Sequence, residues 1–493
     1  PLWIDMKNTS PHLLLAGSQA DVNSGLRSLF YSLFLSHCPD DVQCYMLEFG
    51  QGLREFPPYP HIGEIILEKD TEKIVRTIEF FEDEFANRED SVYSIDEENE
   101  LPHLFLVLNN IAGLKQYENL YRRVLQLIAK ESHKYGIHII ATALPVGTGT
   151  RVPASDLKMF KSRIVFPSVN HDNYWIYLEL SEKKLVKLTK NDEVIERKNR
   201  VNISRAYWLC QNDLKYSETP LEIQLSSPRM GASHNEDAFR EEDVLWDYKL
   251  PKKIDVLKTK YVWENKVAKD EFCAGVKWVD LAELVLPYKD FPSIWGVSGP
   301  RKSGKTNLLA VFLQQISSQL RKKDIDVFSS SHSVLTDYAE SHGFQVLFEP
   351  DDILSRIKEI NNDDFVNRKT PRLIIFDDIN FLWERKSEIH DEIIKSLTSL
   401  GHKIYRKQNV NFVASFTYTS SEMRTAMSRD SFMREFANNR TGLCLGYEGD
   451  WLIDSMTLSK YTKKFTKIIP AGRGVFVFNG VAYELQSYLD ASI

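Results

Sequence analysis

The stretch IWGVSGPRKSGKT, Ile294 to Thr306, runs from an apolar segment of strand character into a glycine-bounded polar loop, after which apolar residues resume at helical spacing. Gly299, Pro300, Arg301, Lys302, Ser303, Gly304, Lys305 and Thr306 fit GxxxxGK[ST] at every fixed position, between a predicted strand and a helix predicted over 306–320. The glycines let the backbone curl so that successive N–H groups point at phosphate oxygens, and the following helix adds its positive end. Lys305 is suited to neutralise the β- and γ-phosphates and the Thr306 hydroxyl to hold Mg2+, so the loop reads as a site for ATP with Mg2+.

Working outward, RLIIFDD supplies the second piece. Leu373 to Phe376 read as a strand beside the loop that delivers Asp377 to the metal, making Asp377 the expected Mg2+ partner. Asp378 stands where many motor ATPases carry a glutamate that orients the attacking water. Aspartate reaches about 1.5 Å less far, and this catalysis depends on positioning, so binding is expected with slow hydrolysis. Lys305 and Asp378 are the candidate catalytic residues; the alternative for Asp378 is a strand-end turn residue. Thr417, ending the predicted strand NFVASFT, is a candidate γ-phosphate sensor or a structural threonine. Arg424, Arg429, Arg434 and Arg440 follow it, and none is assigned as an arginine finger.

Across the chain, apolar strand-like runs alternate with helical stretches, the pattern of an α/β fold with mostly parallel sheets flanked by helices. Helices are predicted over 24–36, 70–87, 116–134, 306–320, 351–360 and 387–405. At 493 residues the chain exceeds one ordinary core. A polar, acidic stretch without period, Ser226 to Asp247, divides it. The expected organisation is a domain at 1–226, a linker and entry segment at 227–260, and a domain at 261–493.

A net charge of -7 gives no global attraction for nucleic acid. The basic runs KKLVKLTK (Lys183 to Lys190) and KYTKKFTK (Lys460 to Lys467) have acids nearby and read as solvated faces. Five scattered cysteines without a CxxC pair read as reduced thiols. No apolar run approaches the roughly 20 residues of a membrane-spanning helix. The chain begins at Pro1 without a signal pattern and reads as part of something longer.

The two halves resemble each other. LLLAGSQADVNS falls on IWGVSGPRKSGKT with Gly17 on Gly299, FLVLNNI on LIIFDDI, and GIHIIATA on NVNFVASF. Phe160, Arg163 and Trp175 run parallel to Phe436, Arg440 and Trp451; SRAYWL then matches GRGVFV, and LEIQL matches YELQS. In the first half Val22 replaces Gly304, Asn23 replaces Lys305, Ser24 replaces Thr306, and Asn109 and Asn110 replace Asp377 and Asp378. Loss of the lysine and both acids predicts little ATP affinity and no hydrolysis there, with valine crowding the loop.

Tandem RecA-like P-loop NTPase domains, one degenerate, with a GRG segment (SRA in the first copy) and a final ELQ or EIQ strand, resemble the FtsK/SpoIIIE-type ATPases. Within these the sequence is most similar to the C-terminal modules of type VII secretion ATPases of the EssC/EccC/YukBA kind. The resemblance implies the cytosolic part of a bacterial cell-membrane protein, with a preceding ATPase module and transmembrane helices. It also implies hexamer formation and export of WXG100-type proteins. Two other functions stay open: an ATP-stabilised recognition platform with negligible hydrolysis, and a DNA translocase, disfavoured by the acidity and by the missing winged-helix domain.

Overall fold

Continuous apolar runs form the inner strands of two sheets, because strands covered on both faces have no polar side to alternate with. The computed structural model describes residues 4–56, 59–91, 101–145, 152–166, 168–169, 174–178, 204–212, 220–225, 251–258, 261, 271–317, 320–362, 371–384, 387–405, 410–447, 451–452 and 469–488. The chain divides into two units, Pro1–Asp255 and Val256–Ile493.

In the first unit the strands are β1 (Leu13–Ala16), β2 (Val42–Glu48), β3 (Ile62–Leu67), β4 (His103–Asn109), β5 (Ile137–Ala143), β6 (Ser162–Val165), β7 (Ser204–Cys210) and β8 (Leu221–Leu225). Their order is β3-β2-β4-β5-β1-β6-β7-β8, parallel through β6 and antiparallel beyond it. Helix α1 (Gln19–Ser36) sends Val22, Leu26, Phe30 and Phe34 into the core beside β1. Helices α2 (Thr71–Ser91) and α3 (Glu118–Ala129) pack together elsewhere on this unit.

The second unit contains β9 (Glu271–Lys277), β10 (Glu283–Pro287), β11 (Ile294–Ser298), β12 (Ile325–Ser329), β13 (Gln345–Leu347), β14 (Arg372–Asp377), β15 (Val410–Phe416), β16 (Gly442–Leu445), β17 (Arg473–Phe478) and β18 (Val481–Gln486). The order is β10-β9-β18-β17-β16-β11-β15-β14-β12-β13. Helices α4 (Lys305–Ser317), α5 (Pro350–Asn362) and α6 (Glu388–Tyr405) cover it. Phe272, Phe291, Trp295, Phe312 and Phe476 fill one face as a chain of ring contacts. Ile357, Leu397, Phe412 and Phe432 lie in the separate core on the other face.

Strand for strand, β1 to β8 take the same places in the first sheet as β11 to β18 take in the second, so the repeat is one of topology. The β9–β10 hairpin, which the sequence did not single out, is added beside β18. Register supports the last matched segments: Arg205 pairs with Gln224 as Arg473 pairs with Gln486.

Two expectations change. Arg163 pairs with Leu14 and Gly442 with Gly296, so with Gly17 on Gly299 the counterpart of Arg163 is Gly442 rather than Arg440. Ladder register overrules the Phe160, Arg163 and Trp175 match, because similar spacings in loops of different length do not fix strand partners; the Trp175 side chain lies outside the described residues. The helix expected over 116–134 breaks into short turns around Glu118–Ala129. The strand carrying Asp377 stands one place away from the loop strand, with β15 between β11 and β14, and its end still reaches the loop side of the sheet.

Most of the expected linker falls outside the described residues. Pro251–Asp255 belongs to the first unit, where Tyr45 donates its hydroxyl proton to the Lys252 carbonyl (2.6 Å) and Arg76 Nε donates to the Asp255 carbonyl (3.0 Å).

Candidate functional site

The order of the second sheet puts the ends of β11, β15 and β14 side by side at one edge, and the loop Gly299 to Thr306 leaves β11 there. Lys302 and Gly304 adopt positive φ, 63° and 100°, which curls the loop before α4 begins at Lys305. A Cβ on Gly304 would stand 3.1 Å from the backbone nitrogen of Gly472, a tight contact, and φ 100° favours glycine there. Gly472 belongs to the GRG segment, and its N–H donates to the Ser303 carbonyl at 2.7 Å. Lys305 Nζ donates to the carbonyls of Gly299 (2.8 Å) and Pro300 (2.9 Å) and approaches Thr417 Oγ1 (3.4 Å). Arg301 and Lys302 are exposed, while Ser303 is buried with its hydroxyl lacking a hydrogen-bond partner.

Opposite the lysine, Thr306 Oγ1 donates to Asp377 Oδ1 at 3.1 Å. Ser415, on the intervening β15, donates to the same oxygen at 2.6 Å and accepts the N–H of Asp378 at 2.7 Å. Burial pushes the Asp377 carboxyl above its ordinary pKa, against the Ser415 and Thr306 hydrogen bonds and the Lys305 charge. Asp378 has φ 54° and an exposed side chain. Its pKa is also raised, first by partial desolvation and then by Asp377. Asn380 clamps Thr417 at both ends of its peptide: Oδ1 accepts the Thr417 N–H (2.8 Å) and Nδ2 donates to the Thr417 carbonyl (3.1 Å).

These residues fit a magnesium-bound triphosphate. The loop itself holds a buried hydroxyl without a partner, that of Ser303, beside Gly304 at φ 100°. Lys305 places one ammonium at the loop, and a hydroxyl and a carboxylate suited to a hard cation are already paired.

The corresponding region of the first unit is built differently. Helix α1 begins at Gln19, the counterpart of Arg301, four residues before the position at which α4 begins. The expected loop is therefore an additional helical turn. Val22 does not crowd a loop but is fully buried in the core. Ser18 caps the helix, and its hydroxyl donates to Asp21 Oδ2 (2.7 Å), which also accepts from Ser168, so the positive helix end faces the chain's own carboxylate.

Asn23 is held by Gln19 (2.9 Å) and by the Gln51 carbonyl. Ser24 sits in the first turns of α1. At the other strand end the second unit's pattern survives: Thr142 donates to Asn109 Oδ1 (2.9 Å) and accepts the N–H of Asn110 (2.7 Å), whose φ is 67°.

Ser415, Asn380 and Gly472 were not assigned to the site from sequence. The alignment of Thr142 with Ser415 was the available signal for the first. Arg424, Arg429, Arg434 and Arg440 are all exposed, and Arg424 lies over the Tyr418 ring. The basic runs Lys183 to Lys190 and Lys460 to Lys467 lie outside the described residues. All five cysteines are thiols, and no described helix is long and apolar enough to cross a membrane.

Comparison with known proteins agrees with the resemblance drawn from sequence. The FtsK/SpoIIIE family matches residues 1–153, a stretch wholly within the first unit. The ESX secretion system protein EccC of Thermomonospora curvata is 33% identical over 165 residues, covering 29% of this chain and 12% of that protein. The type VII secretion system protein EssC of Staphylococcus aureus (strain NCTC 8325 / PS 47) is 24% identical over 157 residues, 29% of this chain and 10% of that protein.

Among solved structures, Thermomonospora curvata EccC (ATPases 2 and 3) in complex with a signal sequence peptide superposes with a TM-score of 0.61 at 18% identity, over 99% of this chain and 90% of that one. EssC (ATPases 2 and 3) from Geobacillus thermodenitrificans gives 0.58 at 16% identity, over 98% and 92%. The fold is thus that of tandem ATPase domains of type VII secretion proteins.

Proposed function

We propose that the chain is the ATP-binding motor or coupling part of a type VII secretion ATPase, in which the second unit binds Mg-ATP and the first is a structural module without nucleotide. The observation that carries this reading is the contrast between the Thr306–Asp377 pair beside a curled loop and a helix that runs through the same positions in the first unit. Gly299 to Thr306 would hold the phosphates, Lys305 would supply the counter-charge, and Thr306 with Asp377 would hold the ion. Bound Mg2+ contributes charge neutralisation of the phosphates. Asp378, exposed at the strand end, is the candidate to orient water, and Thr417 is the candidate to register the γ-phosphate.

Export of WXG100-type proteins, assembly into a hexamer with a preceding module, and a place on the cytoplasmic side of a membrane belong to the same proposal. The Thermomonospora curvata relative solved with a signal sequence peptide makes the signal segment of an exported protein the ligand to test. Calorimetric titration of Mg-ATP should give one site per chain, lost in Lys305→Ala; two equal sites would overturn the assignment.

A second reading, a recognition platform with negligible turnover, is favoured by the short side chain of Asp378. Multiple-turnover phosphate release, with Asp378→Ala as control, separates it from a motor. Release by wild type that the variant abolishes supports hydrolysis, and equal background rates support the platform.

A further inference from the structure

The strand that separates the loop from the acid pair contributes a residue of its own. Ser415 is fully buried in β15, with β11 on one side and β14 on the other. Its hydroxyl has one proton, which goes to Asp377 Oδ1 at 2.6 Å, and its oxygen accepts the N–H of Asp378 at 2.7 Å. Asp378 lies at φ 54°, the left-handed region that Asp and Asn enter more readily than other residues bearing a side chain. Thr306 reaches the same Asp377 oxygen from the loop, so the hydroxyl of Ser415 completes a link from α4 through the carboxylate to the turn.

The first unit provides an internal comparison. Thr142, at the equivalent place in β5, bridges Asn109 and the N–H of Asn110 in the same way, with Asn110 also left-handed. The bridge therefore belongs to the strand-end turn and does not require charge. In the second unit that turn carries the two acids.

We propose that Ser415 is a positioning residue, which fixes the Asp377 carboxylate and the left-handed turn at Asp378 as one piece and thereby sets the site's response to Mg2+. This rests on the nucleotide reading above. It predicts that a hydroxyl, rather than serine as such, is what position 415 needs, since the other unit uses threonine.

The test compares wild type, Ser415→Ala and Ser415→Thr by two measurements. In protein without nucleotide, hydrogen exchange of the Asp378 amide should be faster in Ser415→Ala than in wild type and stay slow in Ser415→Thr. ATP affinity is then measured with and without Mg2+. Ser415→Ala should keep its affinity in EDTA but lose about tenfold of the gain that Mg2+ confers, while Ser415→Thr keeps both.

Wild-type exchange and an unchanged Mg2+ gain in Ser415→Ala would overturn the proposal, as would equal losses with and without the ion. If wild type binds no ATP, the proposed function fails, and the exchange measurement still decides whether Ser415 holds the turn.

Discussion

The backbone N–H of Gly472 donates to the carbonyl of Ser303 across 2.7 Å, tying the phosphate-type loop to the GRG segment. Gly472 has φ 82°, and a Cβ there would stand 2.5 Å from Gln486 Nε2 and 2.7 Å from Ser487 Oγ. Gly472→Ala should therefore cost about 1–3 kcal/mol through strain and crowding. The expected outcome is a lower melting temperature and a smaller upward shift on adding Mg-ATP. Unchanged values for both would show that the contact does not support the loop.

Restoring the motif residues to the first unit should not restore binding. In the triple variant Val22→Gly, Asn23→Lys and Asn109→Asp, α1 still begins at Gln19 and Asp21 still occupies its end. Val22 is fully buried inside the helix, so its replacement by glycine alone should cost about 2–4 kcal/mol from lost burial and helix propensity. Calorimetry of the triple variant should still count one ATP site; a second site would refute the helical obstruction.

The acidity of Asp377 gives a pH signature. Its pKa is raised by burial, so a proton competes with Mg2+ at higher pH than for an ordinary aspartate with a pKa of 3.8. Ionising such a group also opposes folding as pH rises from the unfolded towards the folded pKa. The Mg2+ contribution to ATP affinity should fall on acidification by more than protonation of the nucleotide's own phosphates accounts for, and Asp377→Asn should remove that excess. Titrating the affinity with pH, with and without the ion, checks both.

A histidine group gives the first unit a different acid response. His12 Nδ1 accepts the Ile139 N–H (3.1 Å), and His138 lies between the Pro11 carbonyl (3.1 Å) and His103 (2.8 Å), arrangements that suit neutral rings. Burial, first among the causes for each, lowers both pKa values from 6.5 to about 3. Between these values the unfolded chain takes up protons that the folded one refuses, so stability is full above 6.5 and falls as pH drops. Thermal unfolding followed from pH 7.5 down should show this loss. His12→Asn, whose Oδ1 can replace Nδ1 as acceptor, should make the slope shallower.

The alternation of apolar runs and helices, the loop at Gly299 to Thr306, and the alignment of VLNN with IFDD were all legible from local spacing, because strand periodicity and a phosphate-binding loop are properties of short windows. The Arg163 match failed because pairing partners lie far apart in sequence. Asn380 and Gly472 were missed as parts of the site because their contacts, to Thr417 and Ser303, depend on which strand ends become neighbours.

By itself the sequence determined that two α/β units follow one another and that the second carries glycine, lysine and two acids where the first carries valine and amides, a hydroxyl being kept in both. Only the tertiary structure decided that the first unit's loop had become a helical turn with its own carboxylate at the end. It likewise decided that β15 stands between the loop strand and the acid strand, so that Ser415 links them. Composition and spacing record which groups are present. Strand order and hydrogen-bond register, which depend on long-range pairing, determine which of those groups meet.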